Sequence, residues 1–142
     1  MWADTLLRGE QEHLLRLLAW AGLSVLAATA LAAILGARRI HSPLLQQFAL
    51  QTALWGVVVG GIAGVDFQNA ALRDLGGAAR LERLVWTNVG LDVGYVAVGA
   101  TMAVVAWQLA RRWSLIGAGV AIIVQGLALL VIELQFAVVV SR

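Results

Sequence analysis

The sequence has no cysteine, which removes disulfides, thiolate nucleophiles and sulfur-ligated metals together and leaves the redox compartment open. Charge is scarce as well. Asp, Glu, Lys and Arg make up 13% of the 142 residues, about half the share of an average soluble protein. Lysine is absent, and the ten basic residues are all arginines, placed singly or in pairs at the ends of apolar blocks. That placement suits headgroup contact. It does not suit nucleic acid, which calls for a clustered basic face with stacking aromatics. Proline occurs once, at Pro43, so little interrupts the long helical stretches.

Hydrophobic residues make up 61% of the chain and fall in four long blocks rather than at amphipathic spacing. The expected fold is therefore a single all-α domain: an antiparallel bundle of four transmembrane helices at about 17–37, 44–65, 84–110 and 114–140, with both termini on one side. Residues 1–16 mix charges with leucines and are expected at the membrane surface, with Asp4 as an N-cap. A signal peptide is the competing reading of the first block. Asp4, Glu10 and Glu12 set against Arg8 and Arg16 argue for a retained helix, since an n-region should be positive.

Ser42-Pro43 gives a hydroxyl N-cap followed by proline at the first helical position. Gly56, Gly60 and Gly64 then recur at i+4 steps and form a ridge for close helix packing. The one long connection, 66–83, is divided by Gly76-Gly77. It is expected to hold an interfacial segment at about 67–75 before a helix beginning near Ala78. No Gly-Lys-Ser/Thr follows these glycines, which excludes a P-loop. Trp107 and Trp113 flank the Arg111-Arg112 turn as an aromatic belt would. The positive-inside rule cuts both ways here. The tight turns hold Arg38, Arg39, Arg111 and Arg112, while the opposite side holds six arginines diluted by six acids. Charge density in the short loops favours the Arg-Arg turns as cytoplasmic, in what is expected to be a bacterial inner-membrane protein.

The anomaly is Asp92, an acid well inside an apolar segment. It costs about 2.5–3.5 kcal/mol on insertion scales and is by default a hypothesis about function. Asn88, Asp92 and Tyr95 share one helix face, while Gly90 and Gly94 give a second strip for a neighbouring helix. Depth arithmetic places Asp92 roughly 12 Å into its crossing at about 1.5 Å per residue, and Glu133 and Trp55 at nearly the same level. Asn88 lies nearer the terminal face, with Tyr95, Gln125 and Gln51 progressively farther. In one reading the acids are protonated, hydrogen-bonded glue inside an interaction or assembly subunit, as a homo-oligomer or within a larger membrane complex. In the other, Asp92 and Glu133 form a proton or cation site of a small oligomeric transporter or channel. A lipid- or cofactor-binding bundle using Trp55 and Tyr95 comes third, and no cofactor is specified.

Enzyme chemistry is not expected. His13 and His41 belong to opposite ends of the bundle and cannot jointly hold a metal or a haem. Ser24 and Ser114 have no base in view.

Phe48-x-x-Gln51-x-x-x-Trp55 with Gly61-Ile62-Ala63-Gly64, the stretch Asn88-Val89-Gly90-Leu91-Asp92-Val93-Gly94-Tyr95, and Gln125-Gly126 followed by Glu133 together resemble an uncharacterised family of small bacterial four-helix membrane proteins. The resemblance spans crossings two to four. It implies the fold and the polar layer and carries no activity.

Overall fold

Ser42 opens the second helix as its neighbours dictate. Its hydroxyl accepts from the Leu45 amide at 3.4 Å, and Pro43 occupies the first turn. The computed structural model describes residues 2–141, apart from the side chains of Trp2 and Ala110. Four helices account for nearly all of them: α1 Trp2–Ala37, α2 Pro43–Asn69, α3 Leu75–Ala110 and α4 Trp113–Val140. All four are long and apolar enough to cross a bilayer, with mean hydropathy from 1.7 to 2.6 over their most apolar windows. No strand occurs among the described residues.

Two boundaries differ from expectation. Residues 1–16 were expected as a separate surface segment, whereas α1 is continuous from Trp2 and Asp4 lies inside its first turn. The reason is a stripe of small and apolar residues that runs its whole length. Leu6, Leu14, Leu17, Ala21, Ala28 and Leu35 are buried at helical spacing, with no proline to interrupt them. The second difference is at 67–75, where no separate interfacial helix forms. α2 runs on to Asn69, residues 70–74 are non-helical, and α3 starts at Leu75. The Asp74 carboxylate caps α3 by accepting from the Gly77 amide at 2.7 Å. Gly76 and Gly77 therefore sit in the first turn of a helix instead of dividing two.

Contacts along α3 and α4 run in opposite senses: Val85 packs with Phe136, Asp92 lies beside Gly126, and Gly99 lies beside Gly119. The same holds for α1 and α4, where Gly9 meets Val139, His13 meets Glu133, and Trp20 meets Gln125. These are antiparallel neighbours, and the start of α1 and the end of α4 lie at one end of the bundle. At the other end, Arg39 and Arg111 adopt left-handed backbone conformations, φ 52° and 48°, in the two tight turns. The Arg111 guanidinium lies over the Trp107 ring, 5.3 Å from its centroid, and Trp107 meets Trp113 edge-on at 5.7 Å.

Glycine decides which helices touch. A Cβ on Gly99 would lie 2.7 Å from the Gly119 carbonyl oxygen, and one on Gly119 would lie 2.7 Å from that of Gly99, so α3 and α4 meet backbone to backbone. Gly117 packs against the Leu44 carbonyl and joins α4 to α2. Gly56 and Gly60 pack on Ala21 of α1, as their ridge suggests. The remaining ridge and strip glycines do not pack this way. Gly64, Gly90 and Gly94 have nothing within 4 Å of a built Cβ. The cause is geometric: α3 presents the face of Val85, Asp92 and Gly99 to α4, and Gly90 and Gly94 lie on the opposite face. Among the described residues the backbone of α3 approaches α4 alone, leaving a cleft between α2 and α3.

Gly99→Leu should lower stability by about 1–3 kcal/mol through overpacking, while Gly94→Leu should change it by less than about 0.5 kcal/mol. Reversible unfolding in mixed micelles measures both. Equal effects at the two positions would contradict the helix pairing.

Candidate functional site

The cleft between α2 and α3 widens into a cavity of about 580 Å³, with α1 and α4 forming its inner wall. Asp92 reaches it from the packing face of α3, since Gly126 on α4 lets the α3 backbone come close at that level. Glu133 reaches it from α4, between buried Leu129 and Phe136. Both carboxyls are buried, 4% and 5% exposed, and both line the cavity.

Glu133 Oε1 has two neighbours. Asn88 donates to it through Nδ2 at a long 3.4 Å, and His13 Nε2 stands 3.5 Å away. The His13 ring is fixed by stacking on Phe136, with centroids 4.4 Å apart and planes 11° apart. Asp92 Oδ2, Glu133 Oε2 and His13 Nδ1 are all buried without a hydrogen-bond partner. An unmet buried polar atom costs about 1–3 kcal/mol, and three in one cavity wall are a feature to be explained. Trp55 and Tyr95 join α2 to α3 across the cleft, edge to face at 4.9 Å.

The end of the cavity nearest both termini is polar. Arg73, in the α2–α3 connection, holds Glu10 of α1 through two hydrogen bonds, Nε at 3.0 Å and Nη2 at 2.6 Å. These bonds and the Glu10 charge raise the Arg73 pKa above its ordinary value, against the opposing effect of burial. Asp66 and Asn69 line the same mouth.

The expected layer is thus partly assembled. Asp92, Glu133, Asn88, Tyr95 and Trp55 line one cavity. Gln125 and Gln51 do not. Gln125 is almost completely buried elsewhere, where its Oε1 accepts from Trp20 Nε1 at 2.8 Å and its Nε2 donates to Ser24 Oγ at 3.1 Å. It clasps α1 to α4. Gln51 is half-buried on α2, away from the cavity. His13 and Glu10 fall outside the expected layer because residues 1–16 read as a membrane-surface segment, and Arg73 because it belongs to the 66–83 connection. The available signal was spacing, since Glu10, His13, Leu14 and Leu17 fall on one helix face.

A second cavity, of about 590 Å³, lies at the opposite end between α1 and α2, with Arg39, His41 and Gln46 at its polar edge and no acid in its lining. Among the described residues no group of three or more His, Asp or Glu is placed to hold a metal ion.

These features define the chain as an all-α bundle of four long apolar helices around an acid-lined cavity. More particularly, it belongs to a family of unknown function, DUF6992, whose model matches residues 16–134. The match includes Arg73, Asp92 and Glu133 and begins beyond His13. No curated protein and no solved structure matches the chain.

Replacing Glu10 by Gln and Arg73 by Gln, singly and together, should give a coupling energy of about 1–3 kcal/mol. That lies above a surface pair and below a fully buried one, because Arg73 is a third exposed. Additive effects would show that the pair does not hold the connection to α1.

Proposed function

We propose that this is a multi-pass membrane protein whose four helices cross the bilayer, and that it acts as a small proton- or cation-coupled carrier or channel through Asp92 and Glu133. One observation carries the reading: two buried carboxyls line one cavity, and each keeps a buried oxygen without a hydrogen-bond partner. Gln125, which clasps α1 to α4 as packing glue, looks different. Gln125, at equal burial, has both ends of its amide satisfied. Acids gathered at a cavity in an apolar helix bundle are the pattern of groups that bind and release something. The titratable and charged groups facing them are His13 and Glu10 from α1, Asp66 from α2, and Arg73 and Tyr95 from the α2–α3 connection and α3. The role is non-enzymatic, since proton or cation exchange requires no bond to a substrate.

The interaction or assembly reading keeps one specific support. The Gly90–Gly94 face of α3 has nothing packed on it, and it offers a second copy or another membrane protein a close-approach surface. A carrier that works as a homo-oligomer combines both readings.

The density of arginine in the two tight turns supports cytoplasmic turns, and the family resemblance supports a bacterial inner membrane. A reporter fused after Arg39 should be active when it is one that folds in the cytoplasm and silent when it requires export. The reverse pattern would invert the topology.

The functional test uses purified protein in liposomes loaded with a pH-sensitive dye, with a potassium diffusion potential imposed by valinomycin. Proton flux should exceed that of protein-free vesicles and fall at least about tenfold in Asp92→Asn and in Glu133→Gln, roughly the loss of one strong interaction worth 1.4 kcal/mol. Gln51→Ala should leave it unchanged. An Asp92→Asn protein that assembles normally and retains full flux would sink the coupled-site proposal.

A further inference from the structure

The cavity that holds the acids also has an apolar side opening. Val58 and Ile62 on α2 and Leu84 and Leu91 on α3 line it, yet each is at least half exposed on the outside of the bundle. In a bilayer these outer surfaces would meet acyl chains, so the cleft between α2 and α3 is a lateral entrance at membrane depth. At its floor stand Asp92 and Glu133, each with a buried oxygen that has no hydrogen-bond partner. Acids outnumber bases in its lining. Glu10, Asp66, Asp92 and Glu133 all line the cavity, and its only guanidinium, Arg73, is already held by Glu10.

We propose that this cavity takes a primary alkylammonium amphiphile from the bilayer. The ammonium group sits at Asp92 and Glu133, and the apolar chain lies between α2 and α3. The inference rests on the carrier site proposed above and names its ligand class. Three features select this chemistry. An ammonium group brings three N–H donors and a positive charge to a wall that carries two carboxyl groups. A cavity of about 580 Å³ is far too large for a bare ion and of the size that holds a small organic molecule. The Trp55–Tyr95 pair, at the inner end of the cleft, offers aromatic faces that attract a cation. An anionic or neutral amphiphile would leave the acids unmet.

The test is equilibrium binding of 4-phenylbutylammonium to the protein in zwitterionic nanodiscs. Its neutral alcohol and its carboxylate analogue, with the same apolar body, serve as comparisons. Binding of the cation should saturate at one per chain and exceed that of both analogues at least about tenfold, the loss expected when a charge-assisted contact is removed. Asp92→Asn and Glu133→Gln should each weaken it by a similar factor, and Leu91→Trp, which blocks the entrance, should weaken it too. Because the chain lacks cysteine, Ile62→Cys and Leu91→Cys can be paired cleanly. Equal uptake of alcohol and cation would overturn the proposal. So would efficient disulfide formation between chains at these two positions, which would place a second copy in the cleft. If Asp92→Asn abolishes proton flux while the wild type binds no amine, the ligand assignment fails and the carrier reading stands.

Discussion

The close contact of Gly99 with Gly119 sets the rest of the architecture. With no side chain on either, α3 and α4 meet backbone to backbone, each carbonyl 2.7 Å from where the other's Cβ would stand. In a bilayer, where burial of apolar surface drives little association between helices, such close packing is a main source of adhesion. It also commits α3 to one partner. Bound to α4 through Asp92, Val96 and Gly99, α3 keeps its backbone away from α2, which it meets through the Trp55–Tyr95 rings, and the cleft is what remains between them. Gly117 against the Leu44 carbonyl ties α4 to α2, and Gly56 ties α2 to α1, so three helices form the frame and the fourth closes only one side.

That arrangement explains how two acids persist in so apolar a chain. A helix interior fully surrounded by neighbours would require Asp92 and Glu133 to be hydrogen-bonded on every oxygen, as the amide of Gln125 is between Trp20 and Ser24. Beside a cavity, a carboxyl can turn to water or to a ligand instead. Asn88 and His13 bind only one oxygen of Glu133, and weakly, at 3.4 and 3.5 Å. The Glu10–Arg73 pair has the opposite character. Its bonds are short and bidentate, and they fasten the α2–α3 connection over the cavity's polar end.

The fold class was legible from the spacing of apolar blocks, because a bilayer-length helix needs little beyond length and hydropathy. That Asp92, Glu133 and Trp55 reach one cavity was legible too, since rise per residue converts sequence position to depth. Helix rotation was not. Gly90–Gly94 and Gly99 are equally plausible packing strips on paper, and only the partner helix decides between them. Gln125 looked like a member of the acid layer, but its rotation about α4 turns it toward Trp20 and Ser24 of α1. The charged first sixteen residues masked a continuous helix. Their polarity suggested a surface segment, whereas Glu10 and His13 fall on the same stripe as Leu6, Leu14 and Leu17. In a membrane chain, charge alone is a poor boundary marker when the charged positions are themselves periodic.

The central claim is that Asp92 faces a reachable polar cavity and not lipid, and neighbouring positions on α3 test it. In the cysteine-free chain, Asp92→Cys and Val93→Cys place a thiol at nearly the same depth on different faces of one helix, the first lining the cavity and the second exposed on the outside. Protein in liposomes is treated with a charged, membrane-impermeant thiol reagent applied to each side in turn. The account predicts that the thiol at 92 reacts from the side bearing the termini and that the one at 93 does not. Reaction at 93, or silence at 92 in a protein that folds normally, would contradict it.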